Sequence, residues 1–329
     1  MSFKGKAVCV TGAGGSIGSE ICRRLLTHGV TKLTLLSLTE AGLYNIEREL
    51  RPIATAQGCE LLPVLGSVTD QALLRETLPG TDLVIHAAAH KHVPLCEQNP
   101  IAAIENNVGG TYKLLLESAL ASVQQFVLIS SDKAVNPASV MGATKRVAEL
   151  VVRYSVPAMS QMIRIVVRFG NVLDSAGSVL PLWREQIARG GPITLTDGNC
   201  ERYFMSIPGA VDLVLGAASL EQNGTFVLDM GAPRKMIDMA YEFLAAHYAD
   251  LGLVVCEEYP IKFTGLRPGE KLTEELNYGG SLQPTGVERV NRVTEPDSGL
   301  AVGDFLGLFN ATRMRNKKDA LAKLWEIVK

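Results

Sequence analysis

The chain has 329 residues, 47% of them apolar, which is enough to bury a full core in one large or two modest domains. With 32 Lys and Arg against 34 Asp and Glu the net charge is −2, so no overall field draws the protein to nucleic acid or to an anionic membrane surface. The six cysteines (Cys9, Cys22, Cys59, Cys96, Cys200 and Cys256) show neither CxxC spacing nor a paired framework, a pattern of reduced thiols that predicts a cytoplasmic protein.

In chain order, residues 7–10, 33–36, 61–65, 83–86 and 126–130 are short apolar runs that read as buried parallel strands. The first lies too near residue 1 to leave room for a cleavable signal. Amphipathic stretches at 19–28, 43–50 and 100–120 separate them, and a further strand at 163–168 follows a helix that starts near Val140. Strands and helices alternating in this way predict an α/β fold with a Rossmann-type, doubly wound parallel sheet. Beyond Asn171 glycine and proline become frequent, as in Gly190-Gly191-Pro192 and Gly265-Leu266-Arg267-Pro268-Gly269. The expected organisation is a dinucleotide-binding domain over residues 1–172, with a return segment near 208–245. Residues 173–329 then mainly form a smaller C-terminal substrate-binding lobe over the carboxyl edge of the sheet. The basic cluster at 313–318 reads as a solvated helix face. No apolar run reaches the roughly 18–20 residues of a spanning helix, so no membrane segment is expected.

The run Val8-Cys9-Val10-Thr11-Gly12-Ala13-Gly14-Gly15-Ser16-Ile17-Gly18 places a glycine-rich turn between the first strand and the first helix. Gly12 permits the tight turn, Gly15 lets the backbone approach a pyrophosphate, and Gly18 allows close packing of helix on strand. The helix N-terminus offers free N–H groups to that anion, so Gly12, Gly14, Gly15, Ser16, Ile17 and Gly18 are cofactor candidates. An acidic residue about 20 residues on usually binds the adenosine ribose. Here Ser37 ends the second strand. Without a carboxylate a 2′-phosphate is not repelled, yet no arginine stands beside Ser37 to grip one. NAD and NADP both remain admissible, with a lean to NADP.

Ser130-Ser131-Asp132-Lys133 follows the fifth apolar run and so sits at a carboxyl strand end, where ligands bind in open α/β sheets. Met141 and Lys145 follow, four residues apart on one helix face. Short-chain dehydrogenases carry a Tyr–Lys pair in this pattern, with the tyrosine as base and the lysine on the nicotinamide ribose. Met141 cannot transfer a proton, and Tyr154 lies on the wrong side of Lys145 to replace it. Asp132 beside Lys133 remains: an adjacent carboxyl and ammonium in a closed site can share a proton, giving one acid and one base. Elimination of water needs such a pair.

These residues resemble the polysaccharide-biosynthesis 4,6-dehydratases of the extended short-chain dehydrogenase superfamily, those acting on UDP-N-acetylglucosamine. The resemblance runs through residues 11–20, His86-Ala87-Ala88-Ala89-His90-Lys91-His92-Val93-Pro94, Asn107-Val108-Gly109-Gly110-Thr111, residues 131–145, Arg168-Phe169-Gly170-Asn171-Val172-Leu173, Glu201-Arg202-Tyr203-Phe204-Met205 and residues 265–272. It implies that the nicotinamide takes hydride from sugar C4 and that Lys133 removes the C5 proton. Asp132 protonates the departing C6 hydroxyl, Ser131 assists at O4, and hydride returns to C6. The tightly bound cofactor is thus regenerated in each turnover. The product would be UDP-2-acetamido-2,6-dideoxy-hexos-4-ulose, destined for bacterial surface glycan. The family branch with methionine at the Met141 position mostly retains C5, so retention is expected. Two departures fall on the adenosine side: Ser37 stands where the family commonly has an acidic residue, and Gly66-Ser67-Val68 replaces Gly-Asp-Val. Ser67 and Val68 are therefore also cofactor candidates. Many members carry a membrane-spanning N-terminal region, and this chain reads as a catalytic unit without it, either natural as it stands or cut from a longer protein. The superfamily commonly pairs through helices, so a homodimer or higher homo-oligomer is expected.

The resemblance also sets Ala87 and Ala88 beside the cofactor and Lys91 near the substrate. Arg202, Arg267 and Glu270 are candidate substrate contacts, because a diphosphate favours forked guanidinium partners; their competing reading is surface salt bridges. Asn171, just past a strand end, would hold the sugar or diphosphate. His86, His90 and His92 with Cys96 and Glu97 lack the paired spacing of a zinc site, and no metal is expected. The competing functions are an NAD(P)-dependent 4-keto-sugar reductase or epimerase and, in another class, a dinucleotide-binding regulator without turnover.

Overall fold

The apolar runs become six parallel strands: β1 (Ala7–Thr11), β2 (Lys32–Ser37), β3 (Glu60–Leu65), β4 (Leu83–His86), β5 (Gln125–Ile129) and β6 (Ile163–Arg168). β1, β2, β4 and β5 are buried almost throughout, as strands covered on both faces must be. β3 alternates between buried and open positions because it is the sheet's edge. The computed structural model describes residues 3–155, 161–250, 261–295 and 302–329. Its main sheet runs β3-β2-β1-β4-β5-β6 and continues with Gly224–Leu228, parallel to β6. The antiparallel strands Val290–Val293 and Leu282–Pro284 then close the far edge. The strand order reverses between β1 and β4, which opens a crevice at their carboxyl ends.

Helices α1 (Ser16–Thr27), α2 (Glu40–Gln57) and Ile207–Ala218 bury their apolar stripes on one face of the sheet. The other face carries α3 (Gln71–Thr77), α4 (Val93–Gln98), α5 (Pro100–Ile104), α6 (Thr111–Leu120) and α7 (Val140–Tyr154). The expected helix at 100–120 is interrupted by a π-turn, Glu105–Gly110, which carries Asn107 inward. The Asn107 amide accepts from His90 N at 2.7 Å and donates to His90 O at 2.9 Å and Thr144 Oγ1 at 3.0 Å. Wide turns of this kind re-aim one side chain, and here it ties the strand-end loop to α7.

The return to the sheet is wider than 208–245. Gly224–Leu228, Leu282–Pro284 and Val290–Val293 join it, and the helices Val302–Arg313 and Lys317–Val328 pack on α7. Met236–Asp250 goes instead to a small separate core, where Met236, Met239 and Leu244 meet Trp183, Ile193 and Leu195. Apolar periodicity marks a buried face without saying what covers it. Cys9, Cys22, Cys59, Cys96 and Cys200 are buried and unpaired; Cys256 lies outside the described residues. Among the described residues no helix is long and apolar enough to cross a membrane.

Candidate active site

The glycine loop caps the crevice. Gly12 has φ +68°, and a side chain there would press on the Ala88 backbone at 2.8 Å, so the turn after β1 can be made only by glycine. A Cβ on Gly18 would come within 2.1 Å of Gly12 O, which fixes α1 directly under the loop. Gly14 packs on Gly42 of α2, while Gly15 has only Gly12 O nearby and leaves its face open. Helix α1 has no side-chain cap, so its first-turn amides are donors for an anion at the switch point. Ile17 anchors the helix to the core, and Ser16 Oγ accepts from Ala176 N at 3.0 Å. Ala87 N donates to Thr11 O at 3.2 Å, which lines this edge with small residues.

On the adenosine side Ser37 is buried and its hydroxyl lies 3.3 Å from Thr39 Oγ1. Ser67 Oγ lies 2.8 Å from Thr69 Oγ1, and Val68 packs beneath Gly110. The first carboxylate after Ser67 is Asp70, which caps α3 through Ala72 N and Leu73 N. This donor set of uncapped amides and neutral hydroxyls suits a dinucleotide. It presents no charge at Ser37 to sort NAD from NADP.

β5 delivers residues 130–134 to the same crevice. Asp132 is fully buried in a short 3-10 turn, Asp132–Ala134. Its Oδ1 accepts from Ser131 Oγ at 2.7 Å, Lys133 N at 2.9 Å and Lys133 Nζ at 3.0 Å, while Oδ2 has no partner within the protein. Lys133 Nζ also donates to Asn171 Oδ1 at 3.2 Å and lies 3.5 Å from Glu274 Oε1. Burial lowers the Lys133 ammonium's hold on its proton, but Asp132 and Glu274 outweigh it and the net direction is up. Helix α7 starts against this turn: Ser139 Oγ caps it through Gly142 N, and a Cβ on Gly142 would meet Lys133 O at 2.3 Å.

Met141 is buried in the apolar cluster between α7 and the sheet. One turn on, Lys145 Nζ donates to Ile129 O at 2.6 Å; burial draws this ammonium down to about 8, with Glu149 opposing. The other candidates are spread out. Lys91 Nζ donates to Ala176 O at 2.7 Å, so it and Ser16 hold the same loop over the crevice. Arg202 spends both terminal nitrogens on main-chain oxygens: Glu201 O and Leu272 O from Nη1, Lys271 O from Nη2. Arg267 and Glu270 pair with each other at 2.6 Å, with Arg267 largely exposed. His86 is enclosed, with Nδ1 2.7 Å from Thr11 Oγ1 and Nε2 2.9 Å from Thr111 Oγ1. Among the described residues no group of His, Cys, Asp and Glu could hold a metal ion.

The sequence motifs did not point to Glu274. It belongs to a segment that clasps the Asp132–Ala134 turn: Lys271 Nζ donates to Val135 O at 3.0 Å, Tyr278 Oη to Ala134 O at 2.7 Å, and Asn136 Nδ2 to Glu275 Oε2 at 2.8 Å. Burial raises the Glu274 carboxyl's hold on its proton; Asp132 adds to this, while Lys133, Arg202 and Lys271 oppose it. The only signal was its nearness to Gly265-Leu266-Arg267-Pro268-Gly269, because irregular backbone has no periodicity to read.

Residues 8–295 match the family described as polysaccharide biosynthesis protein. The chain belongs to that family. It is 42% identical over 318 residues to the capsular polysaccharide biosynthesis protein CapD of Staphylococcus aureus, covering 94% of this chain and 52% of CapD. The chain thus spans about half the length of the first curated relatives it matches. Among solved structures, Pen from Bacillus thuringiensis superposes with a TM-score of 0.82 at 30% identity, covering 91% of this chain and 90% of Pen. DesIV, the dTDP-glucose 4,6-dehydratase of Streptomyces venezuelae solved with NAD bound, gives a TM-score of 0.69 at 22% identity over 82% of this chain and 88% of DesIV. At that identity the likeness carries the fold alone. For this member of the polysaccharide biosynthesis family it supports the Rossmann-type sheet and the crevice at the β1–β4 switch point.

Proposed function

We propose that the chain is a nucleotide-sugar 4,6-dehydratase that uses NAD or NADP, acts on UDP-N-acetylglucosamine and retains the configuration at C5. The observation that carries this reading is a buried carboxyl with one unpartnered oxygen, Asp132 Oδ2, beside the Lys133 ammonium at the carboxyl end of β5. Methionine replaces a proton-bearing side chain one turn before Lys145. The name of CapD, a capsular polysaccharide biosynthesis protein, is compatible with this reading, while relatives 30–32% identical are named UDP-glucose 4-epimerase, the competing reading that the product's mass decides.

When bound, the nicotinamide would accept hydride from C4 and give it back at C6. The first-turn amides of α1 would hold its pyrophosphate, and Lys145 would orient the ribose. Ser131 would hold the sugar at O4. In the free protein Asp132 and Lys133 form an ion pair, so the acid–base work needs the proton to cross their 3.0 Å contact. Water removal disfavours both charges and moves the pair toward its neutral form, so a sugar covering the site would arm it. Asp132 would then give that proton to the leaving C6 oxygen, and Lys133 Nζ would take the C5 proton. A single amine that removes the C5 proton and, after exchange with solvent, delivers one back works on one face of the ring, which keeps the C5 configuration unchanged.

Incubation with UDP-N-acetylglucosamine should yield a product lighter by one water, with no net change in cofactor absorbance. NMR of the product made in deuterated water should show solvent deuterium at C5 with the starting configuration. Unchanged substrate across a panel of UDP- and GDP-sugars would overturn the reading. Steady consumption of NAD(P)H would replace it with a reductase.

A further inference from the structure

Two carboxyls compete for one ammonium in this site, and the second belongs to a segment far from β5 in sequence. The Glu274 side chain is 4% exposed, with Oε1 3.5 Å from Lys133 Nζ and Oε2 buried without a hydrogen bond inside the protein. The charges facing it are Lys133 and Asp132 on the catalytic turn, Arg202 on Glu201–Arg202, and Lys271 on its own segment. Arg202 fixes that segment through Lys271 O and Leu272 O, so the carboxyl's distance from Lys133 is set by the fold.

We propose that Glu274 is a positioning residue for the site's proton: its charge decides whether the Lys133 ammonium is shared by two carboxylates or left to Asp132 alone. As a carboxylate, Glu274 stabilises the ammonium and keeps Lys133 from acting as a base. As a neutral acid it carries its own proton on Oε2, and the Lys133 proton is free to cross to Asp132. Burial holds Glu274 toward the neutral form. Turnover therefore falls on the alkaline side as Glu274 ionises. The consequence for turnover rests on the dehydratase reading; the effect on Lys133 does not.

The test compares the wild type with Glu274→Gln, which is neutral at every pH. The first readout is the rate at which an amine-reactive ester modifies Lys133 from pH 6 to 9, followed by peptide mass spectrometry in the absence of substrate. Removing a carboxylate this close should weaken the ammonium's hold on its proton about tenfold, so the variant reacts about tenfold faster at the alkaline end and the two profiles converge at the acidic end. Superimposable profiles overturn the proposal. The second readout is kcat against pH with UDP-N-acetylglucosamine. The variant should lose the alkaline decline with KM little changed, whereas a parallel loss at all pH values means a merely structural role and also overturns it. If neither protein turns over the sugar, the dehydratase reading fails and the labelling still decides the role of Glu274. Should Glu274→Gln not fold, Glu274→Asp draws the carboxyl back from Lys133 and must move the labelling profile the same way by a smaller step.

Discussion

Asp132 is held by three donors through a single oxygen, which leaves the other free for chemistry. Asp132→Asn preserves an acceptor for Lys133 and removes the proton donor of the proposed dehydration. We expect kcat to fall by about 10²–10⁴, the usual worth of a general acid, with the unfolding midpoint nearly unchanged; product NMR and thermal unfolding check the two halves. His86 gives a prediction independent of function. Thr111 Oγ1 donates to Asn107 O, so it accepts from His86 Nε2, and the ring is neutral with its proton on that nitrogen. Burial, helped by Lys145, pulls the imidazole from 6.5 down to about 3. The unfolded chain takes up a proton below pH 6.5 that the folded chain refuses until about pH 3. Stability from this group is therefore complete above 6.5 and drains away between those values. Unfolding midpoints measured from pH 7 to 4 should fall less steeply in His86→Gln than in the wild type; equal slopes would reject the assignment.

At the scale of elements, α7 and the Asp132–Ala134 turn are built as one piece. The helix is capped twice, by Ser139 Oγ on Gly142 N and by Glu97 Oε1 on Val140 N at 2.6 Å, and its first turn touches Lys133 O. A methyl group at position 142 has no room unless helix or turn gives way. Gly142→Ala should cost about 1–3 kcal/mol through overpacking and lower kcat more than it raises KM, because the displaced group is the Lys133 backbone. Urea unfolding together with steady-state kinetics measures both. A variant with wild-type stability would show that the contact yields freely. The glycine loop and this turn were legible beforehand because each is a strand-to-helix junction, where spacing within a dozen residues fixes the geometry. The π-turn at Glu105–Gly110 was not, since it keeps helical periodicity while adding one residue to a turn.

Across the whole molecule, distant segments are tied together at the second face of the sheet. Arg168 on β6 and Glu149 on α7 are both fully buried, and Glu295, Arg146 and Arg153 complete the ion cluster. The C-terminal helices extend the same face, with Phe305, Leu308, Ala320 and Leu324 buried in the cluster that holds Val147, Leu150 and Val151. Leu324→Ala should destabilise the protein by about 2–5 kcal/mol, read from the urea midpoint, because the cavity opens inside a packed core. A change near zero would mean the hairpin packs too loosely to count as core.

Composition, the period of the apolar residues and short-range spacing determined the parallel sheet, the glycine loop and the neighbouring Asp132 and Lys133, because each is encoded within one strand–turn–helix unit. Only the tertiary structure decided what surrounds them. Glu274 meets Lys133 from a far segment, Arg202 is spent on main-chain oxygens, Arg267 and Glu270 satisfy each other, and the last two helices cover α7 rather than the lobe. Those contacts join segments through irregular backbone, where a side chain's partner depends on how the loops close and not on any pattern its neighbours carry.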